Sequence, residues 1–245
     1  MSTDLAARMT NAARERGWPN VTPKDAATLI LIDRTRKTPK LLMGRRHEGH
    51  KFMPGKFVFP GGRIEAWDRR MVAAGALDPK DEERLMARVQ RPTASRARAL
   101  ALAAIRETFE ETGLLLGTAD HGAPEIEIEG PWGAFARHGV YPELERLQFV
   151  ARAITPPRRP KRFDTRFFAV DASAIAGKVE GVVGPESELV ELCWVEPKDA
   201  LKLDVAPITG VIIEELMARI AGKMAPWLPV PLYYESRGRF RREEL

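Results

Sequence analysis

Apolar positions repeat along the chain with two different periods. Residues 26–34, Ala-Ala-Thr-Leu-Ile-Leu-Ile-Asp-Arg, form an apolar, β-branched run bounded by polar residues, the pattern of a buried strand. A turn at Thr38-Pro39-Lys40 leads to a second strand over 41–45, and the two are expected to pair as a hairpin. A loop with His47, Gly49, His50 and Lys51 follows, and then Phe57-Val58-Phe59 runs into Pro60-Gly61-Gly62. The stretch 69–98 has another character. It is rich in Ala, Arg, Asp and Glu, with a helix start at Asp78-Pro79-Lys80-Asp81-Glu82-Glu83 and a stop at Pro92. From Thr93 the pattern is helical up to Gly113, which suits a C′ position. Residues 147–153, 166–170 and 189–195 read as strands, and 197–201 as a short helix with Pro at its first position. An amphipathic helix over 208–221 precedes Pro226, and 230–234 adds either a strand or a clamp over the body. With no internal repeat and no low-complexity linker, one elaborated α+β domain over 1–245 is expected, 206–245 being its C-terminal helix and tail.

Composition adds bounds to this outline. With 44% hydrophobic and 30% charged residues, the chain can bury a core and does not read as disordered. No stretch approaches the roughly 20 apolar residues of a membrane span, and residues 1–20 carry no apolar leader core. A cytoplasmic protein without a membrane partner is the expectation. The one cysteine, Cys193, excludes an internal disulfide and lies in an apolar run, as a buried, inert thiol would. The net charge of +5 is small, but its distribution is uneven. Arg158, Arg159, Lys161, Arg162 and Arg166 form one cluster, and Arg237, Arg239, Arg241 and Arg242 another. Such patches attract phosphates, whether on a small molecule or on nucleic acid.

The candidate chemistry lies at the end of the 93–113 helix. Glu107, Glu110 and Glu111 stand at i, i+3 and i+4, so the three carboxylates share one face. Leu100, Ala103 and Ala104 continue that side, while Leu102, Ile105 and Phe109 are expected to enter the core. Like charges at this spacing destabilise a helix by roughly 0.2–0.5 kcal/mol per pair, and the C-terminal end of the dipole adds to the cost. Either water on a solvated face or a hard cation must offset it. Upstream, Phe59-Pro60-Gly61-Gly62-Arg63-Ile64-Glu65 is a strand-to-loop junction whose glycines let backbone carbonyls approach a ligand or an ion.

Together these segments resemble the box of the Nudix superfamily, G-x5-E-x7-R-E-U-x-E-E-x-G-U with U apolar. Gly62 and Asp68 fill its first part, Asp replacing Glu, and Arg106–Leu114 fills its second, with Thr108 at an apolar position. Thirty extra residues separate the two parts, an interruption known in a branch that includes peroxisomal coenzyme A diphosphatases. The resemblance implies an α/β/α sandwich around a central mixed sheet, with 69–98 a helical insertion in the box that could be a substrate lid or a dimer contact. It also implies an enzyme that uses Mg²⁺ or Mn²⁺ to hydrolyse a diphosphate bond. Glu107, Glu110, Glu111 and the Gly61 carbonyl would hold the metal, and Arg106 would orient the carboxylates. The general base would be Glu107 or an acid from a later loop, first Glu188 and then Glu191. Arg45 and Arg166 are candidates to grip substrate phosphates. His47 and His50 lack ligand spacing, and Trp67 is either a consequence of the insertion or a surface for stacking a base.

The segment from Leu41 through Lys51 and Gly55 to Gly62 is close to the L-L-T-x-R-S/A-x3-R-x3-G-x3-F-P-G-G signature of coenzyme A hydrolases in this superfamily. It departs from it by one extra residue between Arg45 and Gly55, by Met43 for Thr and by Lys51 for Arg. Coenzyme A or an acyl-CoA therefore leads the small-molecule diphosphates. ADP-ribose, a nucleotide sugar, a dinucleoside polyphosphate and a damaged nucleotide stand behind it. A non-catalytic nucleotide sensor is a competing reading, although three retained, mutually repelling glutamates favour catalysis. RNA 5′-end processing would use the basic C-terminus, but no RNA module is recognisable and a nucleic-acid partner is not expected. A homodimer is compatible with the resemblance. The ending Arg242-Glu243-Glu244-Leu245 differs from the peroxisomal S-K-L, consistent with the cytoplasmic expectation.

Overall fold

Strands and helices alternate along the chain in the computed structural model, which describes residues 2–12, 16–50, 53–122 and 130–245, for Ser2–Asp4 the backbone only. Lys51, which occupies an arginine position of the upstream signature, lies outside the described residues. Helix α1 (Ser2–Asn11) precedes strands β1 (Lys24–Asp33), β2 (Lys40–Arg46), β3 (Phe57–Val58) and β4 (Gly61–Arg63). Helices α2 (Pro79–Met86) and α3 (Ala94–Thr112) follow, then β5 (Leu114–Leu116), α4 (Trp132–Arg137), β6 (Gln148–Ile154), β7 (Phe163–Asp171), β8 (Ile175–Lys178) and β9 (Leu189–Val195). Helices α5 (Pro197–Ala200) and α6 (Pro207–Ala221) lead to a final hairpin, β10 (Pro231–Ser236) and β11 (Arg239–Glu244).

The main sheet is mixed, with strand order β11-β10-β6-β7-β1-β2-β3, β4 on β1 and β9 on β2. Strand β1 runs parallel to β7 and antiparallel to β2. Its near-continuous apolar sequence follows from burial on both faces. Ala27, Leu29 and Leu31 enter a core shared with α3 and α4, and Ile30 and Ile32 enter a second core shared with α1 and α6. The same alternation divides β7, with Phe168 and Val170 toward α3 and Phe167 and Ala169 toward α6. The layers are helix, sheet, helix.

Helix α3 starts where Thr93 accepts from the Arg96 N–H at 3.1 Å. It ends at Gly113, whose φ of 76° and contact with the Val179 carbonyl both exclude a side chain. Its middle differs from the expected two-sided pattern, because residues 99–105 are buried all round. The alanines let the sheet approach on one side, and Met71, Leu77 and Leu85 of the insertion cover the other. Acidic side chains appear only at its C-terminal end, where Glu110 is exposed, Glu107 half-buried and Glu111 buried. The insertion is thus part of the core, and none of residues 69–98 lines the large cleft described below, which argues against a lid. The tail forms a full hairpin, its turn made by Arg237 and Gly238 at φ 50° and 79°, as a tight hairpin turn requires. Among the described residues, no helix is long and apolar enough to cross a membrane.

Candidate active site

A buried arginine organises the end of α3. Arg106 donates from Nε to Asp68 Oδ1 at 2.8 Å and from Nη2 to Asp68 Oδ2 at 3.1 Å. Its Nη1 donates to Glu107 Oε1 at 2.9 Å and to Glu110 Oε2, and Nη2 also reaches the Arg63 carbonyl at 2.7 Å. Asp68 is fully buried and accepts two further bonds, from Trp132 Nε1 at 3.1 Å and from the Glu65 N–H at 2.7 Å. One guanidinium therefore ties the helix to the glycine strand and fixes where Glu107 stands. Both glycines are required by contact. A Cβ on Gly62 would collide with the Glu107 carboxylate, and one on Gly61 would lie 2.5 Å from the Ala27 carbonyl oxygen. The Gly61 N–H donates to Glu111 Oε2 at 3.3 Å.

These groups open onto a cleft of about 540 Å³ on the α6 side of the sheet. Glu107, Glu111, Glu188, Gly61, Gly62 and Arg46 line one end. Ala26, Thr28, Thr165 and Phe167 form its floor, and Arg159 and Lys161 line it as well. Burial pushes the Glu107 carboxyl up to about 7, although Arg106 works against the shift. Burial also pushes Glu111 well above the usual carboxylate range, helped by Glu188 and Glu107 and opposed by Arg46 and the Gly61 N–H. Arg46 donates from Nη2 to Glu188 Oε1 at 2.6 Å, and the same nitrogen lies 3.2 Å from His50 Nδ1. Its Nε is buried without a hydrogen-bond partner among the described residues. Among those residues, no three His, Cys, Asp or Glu side chains gather tightly enough to enclose an ion on their own.

The structure brings Glu107, Glu111, Glu188 and Gly61 to one wall of this cleft, with Arg106 behind them. Glu110 stands beside them, held by Arg106, and does not line the cleft. The two arginines expected to grip phosphates are elsewhere. Arg45 pairs with Glu191 at 3.0 Å, outside the cleft. Arg166 is a correction: it is fully buried on the α3 side of β7, where it bonds Asp25 Oδ1 at 2.8 Å and the Asp164 carbonyl at 2.7 Å. Its neighbours Thr165 and Phe167 face the cleft, so the strand's period of two turns Arg166 away. Trp67 is half-exposed beside Gly130 and lines no part of the cleft, so it offers no surface there for a base. Cys193 is half-buried rather than buried. His47 stays in its loop, accepting from the Gly49 N–H at 2.9 Å. Sequence reasoning missed Arg46: strand alternation groups it with Leu42 of the α3-side core and gives no sign that it lines this cleft, and the register shift between Arg45 and Arg46 is not legible in the sequence.

No family model matches the chain. It is 27% identical over 187 residues to a Caenorhabditis elegans protein named nudix hydrolase 7, covering 73% of this chain and 53% of that one. It is 28% identical over 212 residues to the acyl-coenzyme A diphosphatase NUDT19 of Gallus gallus, covering 66% and 55% respectively. The chain thus spans about half the length of the curated relatives it matches. Among solved structures, a NUDIX hydrolase from Alicyclobacillus acidocaldarius superposes with a TM-score of 0.60 at 26% identity, covering 81% of this chain and 92% of that one. Likeness in sequence and likeness in fold lead to the same place: the chain resembles Nudix hydrolases in both.

Proposed function

We propose that this cleft hydrolyses the phosphoanhydride bond of a nucleoside-diphosphate-linked substrate, with coenzyme A or an acyl-CoA favoured. The observation that carries the reading is the convergence of Glu107, Glu111 and Glu188 beside the Gly61-Gly62 backbone and Arg46. Coenzyme A is favoured by the upstream signature over 41–62 and by similarity to a relative named as an acyl-coenzyme A diphosphatase.

The residues present fit a hard divalent cation. Burial and mutual repulsion raise both Glu107 and Glu111, so this wall is short of positive charge, and its donors are all oxygen. An open set rather than a cage suits Mg²⁺ or Mn²⁺, since Mg²⁺ keeps several waters and shares one or two carboxylates with substrate phosphates. Glu107, Glu110, Glu111 and the Gly61 carbonyl are the proposed ligands. Bound there, the cation would offset the charge of the diphosphate and polarise a phosphoryl oxygen. Arg106 is a positioning residue that holds Glu107 against the glycine strand. Arg46 offers its guanidinium to a substrate phosphate, and Glu188 takes the proton from the attacking water. The water oxygen bonds to one phosphorus, the bridging P–O bond breaks with its electron pair leaving on the second phosphate, and two phosphomonoesters result.

The test is a product-identified screen of coenzyme A, acyl-CoA, ADP-ribose, NADH, diadenosine polyphosphates and nucleoside triphosphates with Mg²⁺ and Mn²⁺. Coenzyme A should give adenosine 3′,5′-bisphosphate and 4′-phosphopantetheine. Glu111→Gln should lose about 100-fold or more of turnover while keeping or raising the melting temperature, since it removes a buried repelling charge. Wild-type turnover by that variant on every substrate would refute the carboxylate reading.

A further inference from the structure

The basic run between β6 and β7 is divided by the fold. Arg166 is turned to the α3 side. Arg162 is tied to its own loop and to the segment before β1, donating to the Thr155 carbonyl at 3.1 Å, Asn20 Oδ1 at 2.8 Å and the Val21 carbonyl at 2.6 Å. Arg159 and Lys161 alone of the run line the cleft, on the side to which Phe163, Thr165 and Phe167 also point.

Strand register places these two cations far from the carboxylates. Gly61 is opposite Thr28 on β1, and Phe163, two residues after Lys161, is opposite Lys24. Four residues of strand separate those levels, about 13 Å at about 3.3 Å per residue. The sheet floor between them, Ala26, Ala153, Thr165 and Phe167, carries no charge, while Arg63 and Glu65 line the cleft from the β4 side. The layout is an acidic centre, an uncharged floor wide enough for rings, and a pair of long cationic side chains lining the cleft beyond it.

We propose that Arg159 and Lys161 form a second anion subsite that reads a phosphomonoester on the nucleoside of the substrate, away from the bond that is cleaved. Only the orientation of that nucleoside rests on the proposed hydrolysis; the subsite itself is a matter of binding. An anion that meets two cations in a partly apolar cleft gains charge-assisted hydrogen bonds that a nucleoside without the extra phosphate cannot make. The subsite therefore discriminates by charge, and the acidic end does the chemistry.

Calorimetric binding with Mg²⁺ present tests this directly, using adenosine 3′,5′-bisphosphate and adenosine 5′-monophosphate as probes. The wild type should prefer the bisphosphate by about tenfold or more. The double variant Arg159→Ala/Lys161→Ala should bind the two alike, with affinity for the monophosphate unchanged. The charge-conserving pair Arg159→Lys/Lys161→Arg should restore the preference. Equal binding by the wild type, or a preference that survives in the double alanine variant, would overturn the proposal. Turnover supplies an independent readout: the double variant should lose about tenfold in kcat/KM for coenzyme A, mainly through KM, and little for 3′-dephospho-coenzyme A. No turnover with an intact binding preference would sink the hydrolase reading alone. Turnover without any preference would sink the subsite alone.

Discussion

Arg106 and Arg166, two of the four arginines buried among the described residues, are served differently. Around Arg106 all three nitrogens have partners: Asp68 takes two bonds, Glu107 and Glu110 one each, and the Arg63 carbonyl another. Burial works against this charge, but the surrounding acids outweigh it and hold the guanidinium more firmly protonated than usual. Around Arg166 Nη1 is engaged by Asp25 and the Asp164 carbonyl, and Nε and Nη2 are buried without hydrogen-bond partners among the described residues. There burial wins over Asp164 and Asp25, and the pKa falls. The acids beside Arg166 have other cations: Asp25 accepts from Arg96 at 2.6 and 2.7 Å, and Asp164 from Arg152 at 2.8 and 2.7 Å. Arg152 also holds the Ala87 carbonyl at 2.9 Å. This second network fastens the insertion and the start of α3 to the sheet, whereas the first aims side chains. In this pair the fully satisfied arginine stands behind the candidate site, and the half-satisfied one belongs to the scaffold.

The largest effect is expected where the partners have no substitute. Arg106→Ala strands the fully buried Asp68, so denaturant melts should show a loss of about 3–5 kcal/mol, and turnover should vanish with it. Arg106→Lys separates the two roles. It keeps a charge beside Asp68 but lacks the planar fork, so it should recover much of the stability and little of the turnover. Equal recovery of both would mean that Arg106 is structural only.

Gly62→Ala should come next, with the opposite signature. The added methyl meets the Glu107 carboxylate rather than backbone. The side chain can swing aside, so stability should change little. A misplacement of about 1 Å is enough for a loss on the order of 100-fold in kcat, readable in steady-state kinetics beside an unchanged melting curve. A drop in stability matching the drop in kcat would place the glycine's importance in folding instead.

Arg166→Met should cost less than about 2 kcal/mol, because Asp25 and Asp164 each keep a cation and two unpaired donors disappear. Its kcat and KM should equal the wild type's. A raised KM for diphosphates would return Arg166 to the phosphate-gripping role that burial denies it.

How much of this could be read in the sequence differs between the two networks. The helix ending at Gly113, its three glutamates and the Gly61-Gly62 junction were legible because each rests on spacing within a few residues. The partners of Arg106 were less so: Asp68 is 38 residues away along the chain, and Trp132, which holds Asp68, is a further 64 from it. The burial of 99–105 on every side depends on Met71, Leu77 and Leu85, and no periodicity within α3 reveals what the insertion will cover. The role of Arg166 turned on which face of β7 receives α3. A strand buried on both faces hides that choice, since its alternation of apolar residues is lost.

The smallest predicted effect tests that lesson where it is cheapest to check, at two adjacent arginines of β2. Arg45 follows Leu41 and Met43, which enter the α6-side core, and Arg46 follows Leu42, which enters the α3-side core. The register shifts between them, where β2 meets β9. Arg45 is left in an exposed pair with Glu191, and Arg46 faces Glu188 in the cleft. An exposed pair of this kind contributes about 0–1 kcal/mol, so Arg45→Ala should shift a denaturation midpoint barely above error and leave kcat/KM alone. Arg46→Ala at the next position should lower kcat/KM by about tenfold or more, as the loss of a charge-assisted contact to phosphate would. Interchanged effects would mean that Arg45, which shares the α6-side parity of Leu41 and Met43, faces the substrate, and the assignment of Arg46 to the cleft would fall.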